Sequence, residues 1–195
     1  SVSGDSGLTV TADKATFQPG EEVTLTVTEN GAKFVGWEGV SADGTFRKSY
    51  TFRPTGPVAA IARTASVVKY VESGASGDGS SWASPSGSLQ DMLTAVKDSS
   101  DPALICVKGD FTVSSAIGVE NAAGMIRIVG GCTGEGFATS GRSAFVRDTS
   151  ATTRLFSFAA SKVAFENLRV SDGLYKTVEN SALYGQGVRL LAACT

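Results

Sequence analysis

The residues able to do chemistry are few, and one type is missing altogether. The 195-residue chain contains no histidine. Without it a Ser-His-Asp or Cys-His nucleophile cannot be assembled. Imidazole metal sites and the usual general base near neutral pH are excluded with it. Acid–base work would fall to carboxylates, Lys, Arg or Tyr. Glycosidic chemistry needs two carboxylates flanking a sugar bond. Asp110, Asp148, Glu166 and Asp172 lie in or beside short apolar runs and form the candidate pool. Cys106, Cys132 and Cys194 are widely spaced, and none belongs to a Cys-x-x-Cys pair. Buried thiols, one disulfide, and a reactive or metal-binding role all stay open for them. The stretch GASGDGS, with Gly74, Gly77 and Gly79, resembles a phosphate loop in composition but lacks the Gly-Lys-Ser/Thr ending. Trp37 offers either a stacking platform for a sugar or a plug for a small core. Its neighbours Phe34 and Gly36 favour the plug. No residue earns a catalytic, cofactor or metal role, and no cofactor is expected.

Composition narrows the class. Hydrophobic residues make up 42% and charged residues 18%, too apolar a mixture for a disordered chain. The net charge of −2 gives no basic field for nucleic acid. No apolar run is long enough to cross a bilayer, so membrane insertion is not expected. Abundant Gly, Ser and Thr with sparse charge hint at an exported protein. Ser1 is not an initiator Met, and no basic-then-apolar leader follows it. The expectation is a mature or trimmed chain with its export signal out of view.

The first 66 residues read as short strands with turn punctuation. EEVTLTVTEN alternates strictly, with Val23, Leu25 and Val27 on one face and Thr24, Thr26 and Thr28 on the other. Pro19-Gly20 and Asn30-Gly31 are turn signals. LTVTADKATF, KFVGWEGV, FRKSYTFRP and PVAAIARTA are further strand candidates, which together predict a small all-β domain. PGEEVTLTVTENGAKFVGWEGV followed by YTFRPTGPVAAIAR resembles the divergent internalin-type B-repeat of bacterial surface proteins, through Pro19, Gly20, Val23, Leu25, Gly31, Phe34, Gly36 and Trp37. The resemblance spans about 8–64. It implies a small β module used as a repeat or spacer outside the cell.

From about residue 67 the pattern changes. VVKYV reads as a strand, and a Gly-Ser-Asp run and Trp82 follow it. Ser88 predicts a helix N-cap, with Asp91 at the answering position of a capping box. Leu89, Met92, Leu93 and Val96 make an apolar stripe, and the helix is expected to end near Asp98. Beyond Pro102 come short apolar runs, among them ALICVKGDFTV, MIRIVGGC, KVAFENLRVSDG and VRLLAAC. They recur irregularly, with about twenty residues between corresponding strands. Ladders are expected to start at Ile126 and Val163, with matching positions near Ile105 and Leu190. Few tight hairpin signals join them, which suits a coil of parallel strands.

The order of motifs resembles the start of right-handed parallel β-helix proteins of the pectate-lyase-like superfamily, in its bacterial surface-protein branch. Tyr70 and Val71 lead into Gly77, Asp78, Gly79, Ser80, Ser81 and Trp82, then the helix, ICVKGDF (105–111), IRIVGGCTGEG (126–136) and LRVSDG (168–173). Cys132 departs from the aromatic often found there. The resemblance implies a fold that is mainly β: a small all-β domain (1–66), then a helix-capped, short or truncated right-handed parallel β-helix (67–195) of some five turns. The natural chain is expected to continue past Thr195. Lyase relatives use stacked Asp residues for calcium and an Arg or Lys as base. This chain has no Asp-rich strand and no acidic ladder on neighbouring turns, so turn, Asx or ion-pair roles are the plain expectation for its four acids.

The functional expectation is an exported, cell-surface bacterial protein, an adhesin or glycan-contacting protein that is non-catalytic in this region. Its expected partner is a host or environmental glycan or a surface protein, with no nucleic acid. Two alternatives stand beside it. One is the N-terminal part of a β-helical polysaccharide lyase or glycoside hydrolase with its active site on later turns. The other is a passive stalk.

Overall fold

In the computed structural model, residues 1–42, 44–149 and 155–171 are described in full, and 184–185 and 188–191 as backbone. The chain is mainly β, with one helix among the described residues. It falls into two compact units, Ser1–Ser66 and a second that begins at Val67.

The first unit has six strands: β1 (Val2–Gly4), β2 (Leu8–Ala12), β3 (Val23–Glu29), β4 (Phe34–Glu38), β5 (Ser49–Phe52) and β6 (Ala60–Thr64). They form two three-stranded sheets, in the orders β1-β6-β4 and β2-β3-β5. The alternation in β3 sends Val23, Leu25 and Val27 into the core. There they meet Phe34, Trp37, Ala60 and Ala62. Gly31 takes a left-handed φ of 92°, but the turn it makes is not a hairpin, because β3 pairs with β2 and β5 while β4 joins the other sheet. Trp37 is 2% exposed, stands edge-on to Phe34 and donates its indole N–H to Arg47 O at 2.9 Å. Burying such a side chain contributes about 2–3 kcal/mol.

The second unit opens with β7 (Val67–Glu72) and helix α1 (Leu89–Val96). The described strands that follow are β8 (Ala103–Lys108), β9 (Phe111–Val113), β10 (Ile117–Glu120), β11 (Met125–Val129), β12 (Ser143–Arg147), β13 (Phe156–Ala159), β14 (Lys162–Glu166), β15 (Leu168–Ser171), β16 (Tyr184–Gly185) and β17 (Val188–Leu191). ALICVKGDFTV is two strands, not one, because Gly109 turns the chain at a φ of 85°. Successive strands visit three sheets in rotation. β8, β11 and β14 join β7 in one, β9, β12 and β15 form the second, and β10, β13 and β17 lie in the third. Every pairing except the short β16–β17 contact is parallel.

Ile126 lies beside Val163, as the sequence suggests, but its other partner is Ala103. Ile105 sits two residues further on, opposite Ile128. Leu190 lies in a different sheet, opposite Phe158. The interval from Ala103 to Ile126 is close to the expected twenty residues, whereas that from Ile117 to Phe156 is nearly twice as long. Corner loops of unequal length blur the repeat in the sequence. The core of this unit runs through Ile105, Ile126, Ile128, Phe145, Phe156 and Phe158.

Helix α1 caps this core. Leu89, Met92, Leu93 and Val96 are its buried face. Ser88 Oγ accepts from Asp91 N–H at 3.1 Å. The reciprocal half of the capping box is filled differently: Ser88 N–H donates to Ser86 Oγ at 3.1 Å. Helical geometry ends at Val96, with Lys97 as C-cap.

Candidate functional site

Among the described residues of the second unit, the corner between β7 and α1 is a densely hydrogen-bonded polar surface. A Gly-Ser-Asp run without fixed partners would be a tether. Here the backbone is pinned at several points. Gly77 N–H donates to Pro85 O and Gly79 N–H to Ser84 O, both at 2.8 Å. Tyr70 N–H donates to Gly79 O, Ser86 N–H to Tyr70 O, and Glu72 N–H to Ser86 O. Residues 79–86 thus cover the outer edge of β7, which would otherwise present open donors and acceptors. Gly79 has a φ of 72° and a buried position where a side chain would strike the Met92 sulfur.

Trp82 is half-buried. Its ring meets Tyr70 edge-on at 4.9 Å, and its N–H reaches Gly136 O at 3.0 Å. One indole therefore ties the first corner to the distant 133–138 turn. That turn closes through Thr133 N–H to Ala138 O and Ala138 N–H to Glu135 O. Glu72 and Lys108 pair at 2.7 Å, with Lys108 beside Gly134. Burial raises the Tyr70 phenol above its ordinary pKa, helped by the nearby Cys106.

Asp78 folds its carboxylate back onto the corner. Oδ1 accepts the Ser80 hydroxyl at 2.7 Å and Ser80 N–H at 3.0 Å. These bonds, the hydroxyl first, lower its pKa to about 2. A depressed carboxylate contributes stability that is complete above the unfolded value near 4 and lost as pH falls through the folded value. The Asp78 contribution is expected to be full at pH 5 and to fade between about pH 4 and pH 2. Carboxyl-carbon NMR titration is the check, and Ser80→Ala should move the midpoint up toward the ordinary range. A midpoint near 4 in the parent chain would remove the hydroxyl from this role.

Three of the four acids singled out from sequence are described, and Asp110 and Glu166 have side-chain partners. Asp110 Oδ1 accepts Ala144 N–H at 2.8 Å and so fastens the β8–β9 corner to β12. Asp148 uses its own N–H on Val113 O at the end of the β9–β12 ladder. Glu166 pairs with Arg127 at 3.1 Å, and Arg127 is 6% exposed. Asp172 lies outside the described residues. Among the described residues no cluster of three or more His, Cys, Asp or Glu could hold a metal ion. No described helix is long and apolar enough to cross a membrane.

Cys106 and Cys132 are buried thiols. Cys106 lies opposite Val129, while Cys132 N–H bonds to Val107 O at 3.0 Å. That bond sets Cys132 about two residues further along β8 than Cys106, roughly 6–7 Å of strand rise. Cys132 Sγ–H donates to Val129 O at 3.4 Å. Cys194 lies outside the described residues.

Trp37 is enclosed and presents no face to a sugar. A cavity of about 320 Å³ opens between Val10, Ala12, Phe17, Leu25 and Val58, with Lys14 on its wall; that lysine is paired with Glu21. Glu29 is likewise structural. Burial pushes its carboxyl up, but bonds from Phe34 N–H and Lys48, with the charges of Lys48 and Lys33, hold it below the ordinary value.

No family model, curated protein or solved structure matches the chain. Its own geometry therefore carries the functional reading. The corner offers an aromatic ring held by Tyr70 and Gly136, the Glu72–Lys108 ion pair and a hydrogen-bonded backbone at Gly77, Gly79 and Ser86. Sequence reasoning found Trp82 but missed Gly136 as its partner and Lys108 as the partner of Glu72, because no sequence signal links residues this far apart in the chain.

Proposed function

We propose that the chain is part of an exported bacterial surface protein that works by adhesive contact with glycan, without catalysis in this region. Its first unit is read as a B-repeat-like spacer module, and its second as the helix-capped start of a right-handed parallel β-helix. The observation that carries the reading is the chain path: strands rotate through three parallel sheets, with the starting edge of β7 covered by the corner at residues 79–86. Parallel crossovers are right-handed in about 98% of cases, which supports the hand. The order of motifs at 70–82, 105–111, 126–136 and 168–173 agrees with the surface-protein branch. Coils of this kind need a covered end, and a covered end leaves long regular flanks for binding.

A glycan array probed with the whole chain tests this. Binding to at least one glycan class above background is expected, with the bound sugar recovered intact by mass spectrometry. An array with no signal, or recovery of cleaved sugar, would sink the reading.

A further inference from the structure

Two Asx-Gly pairs lie wholly among the described residues, Asn30–Gly31 and Asp78–Gly79. Such pairs share one reaction. The glycine backbone nitrogen can attack the carbonyl carbon of the preceding side chain, because glycine brings no Cβ to crowd the approach. Whether it does so depends on what else that nitrogen and that carbonyl are bonded to.

At Asp78 both are occupied. Gly79 is buried, and its N–H donates to Ser84 O at 2.8 Å. The Ser80 hydroxyl and N–H hold the Asp78 carboxyl at a pKa of about 2, so at neutral pH it is a carboxylate and a poor electrophile. Asn30 is the opposite case. Asn30 and Gly31 are exposed, in the link between β3 and β4. Among the described residues, Gly31 N–H has no hydrogen-bond acceptor. Nothing lies within 4 Å of where a Gly31 Cβ would stand. Asn30 itself is held in place: its N–H donates to Gly7 O at 2.8 Å, and its Nδ2 to Thr9 Oγ1 at 2.6 Å. The amide nitrogen thus rests on a hydroxyl, which can donate a proton as well as accept one. The other described asparagines lack a free, uncrowded nitrogen after them. Ala122 N–H, next to Asn121, donates to Ser161 Oγ at 2.9 Å. Leu168, next to Asn167, packs a branched side chain against the core.

We propose that Asn30–Gly31 is a self-modification site, where the turn converts to a succinimide and then to aspartate or isoaspartate. Gly31 N bonds to Asn30 Cγ and gives up its proton to water. The Cγ–Nδ2 bond breaks, and the nitrogen takes up a proton and leaves as ammonia. Water then opens the ring. Attack at Cγ leaves aspartate. Attack at the backbone carbonyl leaves isoaspartate, whose main chain is one methylene longer. Water is the one co-reactant, and nothing is oxidised or reduced. The neutral amide becomes a carboxylate beside Glu29, in a link that joins strands of two different sheets. The adhesive reading above is not needed for this reaction.

Peptide mass spectrometry of the full chain, incubated folded at mildly alkaline pH and then digested, is the test. The peptide holding Asn30 should gain about one mass unit at least about tenfold faster than those holding Asn121 and Asn167. Electron-transfer fragmentation should show isoaspartate at that position, and Asp78 should stay as aspartate. Gly31→Ala should slow the gain at least about tenfold. If that variant does not fold, the comparison of sites within the parent chain still decides. An Asn30 peptide that keeps its mass would overturn the proposal. So would equal rates at the three asparagines, isomerisation of Asp78 ahead of Asn30, or a folded Gly31→Ala variant that reacts as fast as the parent.

Discussion

Phe145→Ala is expected to destabilise the second unit by about 3–5 kcal/mol, the range for emptying a large aromatic site in a closed core. Phe145 has no exposed surface. Its register partner Phe111 stacks on it at 4.9 Å with the rings 7° apart, and Phe156 meets it edge-on at 5.3 Å. The ring therefore joins the β9-β12-β15 sheet to the β10-β13-β17 sheet. Such aromatic pairs contribute about 0.5–1.5 kcal/mol each beyond burial. Phe145→Leu should cost much less, since part of the volume remains. Urea unfolding followed by Trp82 fluorescence in a Trp37→Phe background gives the measurement, as the chain has two tryptophans and only Trp82 lies in this unit. A shift below about 1 kcal/mol for the alanine variant would mean that the ring is not central to a packed interior.

How far sequence could anticipate these features depends on whether the deciding contacts are local. The period-two strand Val23–Glu29 is legible because alternation alone selects its buried face. Helix α1 is legible for the same reason: Ser88 and the four apolar residues lie within nine positions. The strand path after Pro102 is less so. Three-residue β9 carries almost no periodicity, and its identity comes from Phe145 stacking on Phe111. Ile105 and Leu190 look like members of one ladder by composition, yet they belong to different sheets, because corner loops vary in length and composition does not record register. The candidate carboxylates show the same limit. Asp110 and Glu166 look alike in sequence, but one ties a backbone N–H and the other answers a nearly buried arginine. The threonines of β2, β3 and β5 are legible strand by strand and become neighbours only when register aligns them.

Gln90 shows what the capping helix does beyond covering apolar side chains. In β10, Ile117 N–H donates to Leu155 O and Asn121 N–H to Ala159 O, which turns the N–H and C=O of Gly118 to the opposite edge. Gln90 answers both. Its Oε1 accepts Gly118 N–H at 2.7 Å, and its Nε2 donates to Gly118 O at 3.0 Å. One side-chain amide thus stands in for the missing neighbouring strand. Gln90→Leu keeps helix propensity and bulk but removes both bonds. Two half-buried backbone groups then lose their partners, at a combined cost of about 2–3 kcal/mol. Amide exchange at Gly118 should accelerate in step with that loss. The opened β10 edge should also promote concentration-dependent association, because unpaired strand edges recruit other chains. Exchange mass spectrometry and size-exclusion chromatography at rising concentration read the two effects separately. Unchanged protection at Gly118 would show that the strand edge is held by something other than Gln90. Faster exchange without association would show that the rest of α1 still screens the edge, leaving the amide a local partner and not the barrier.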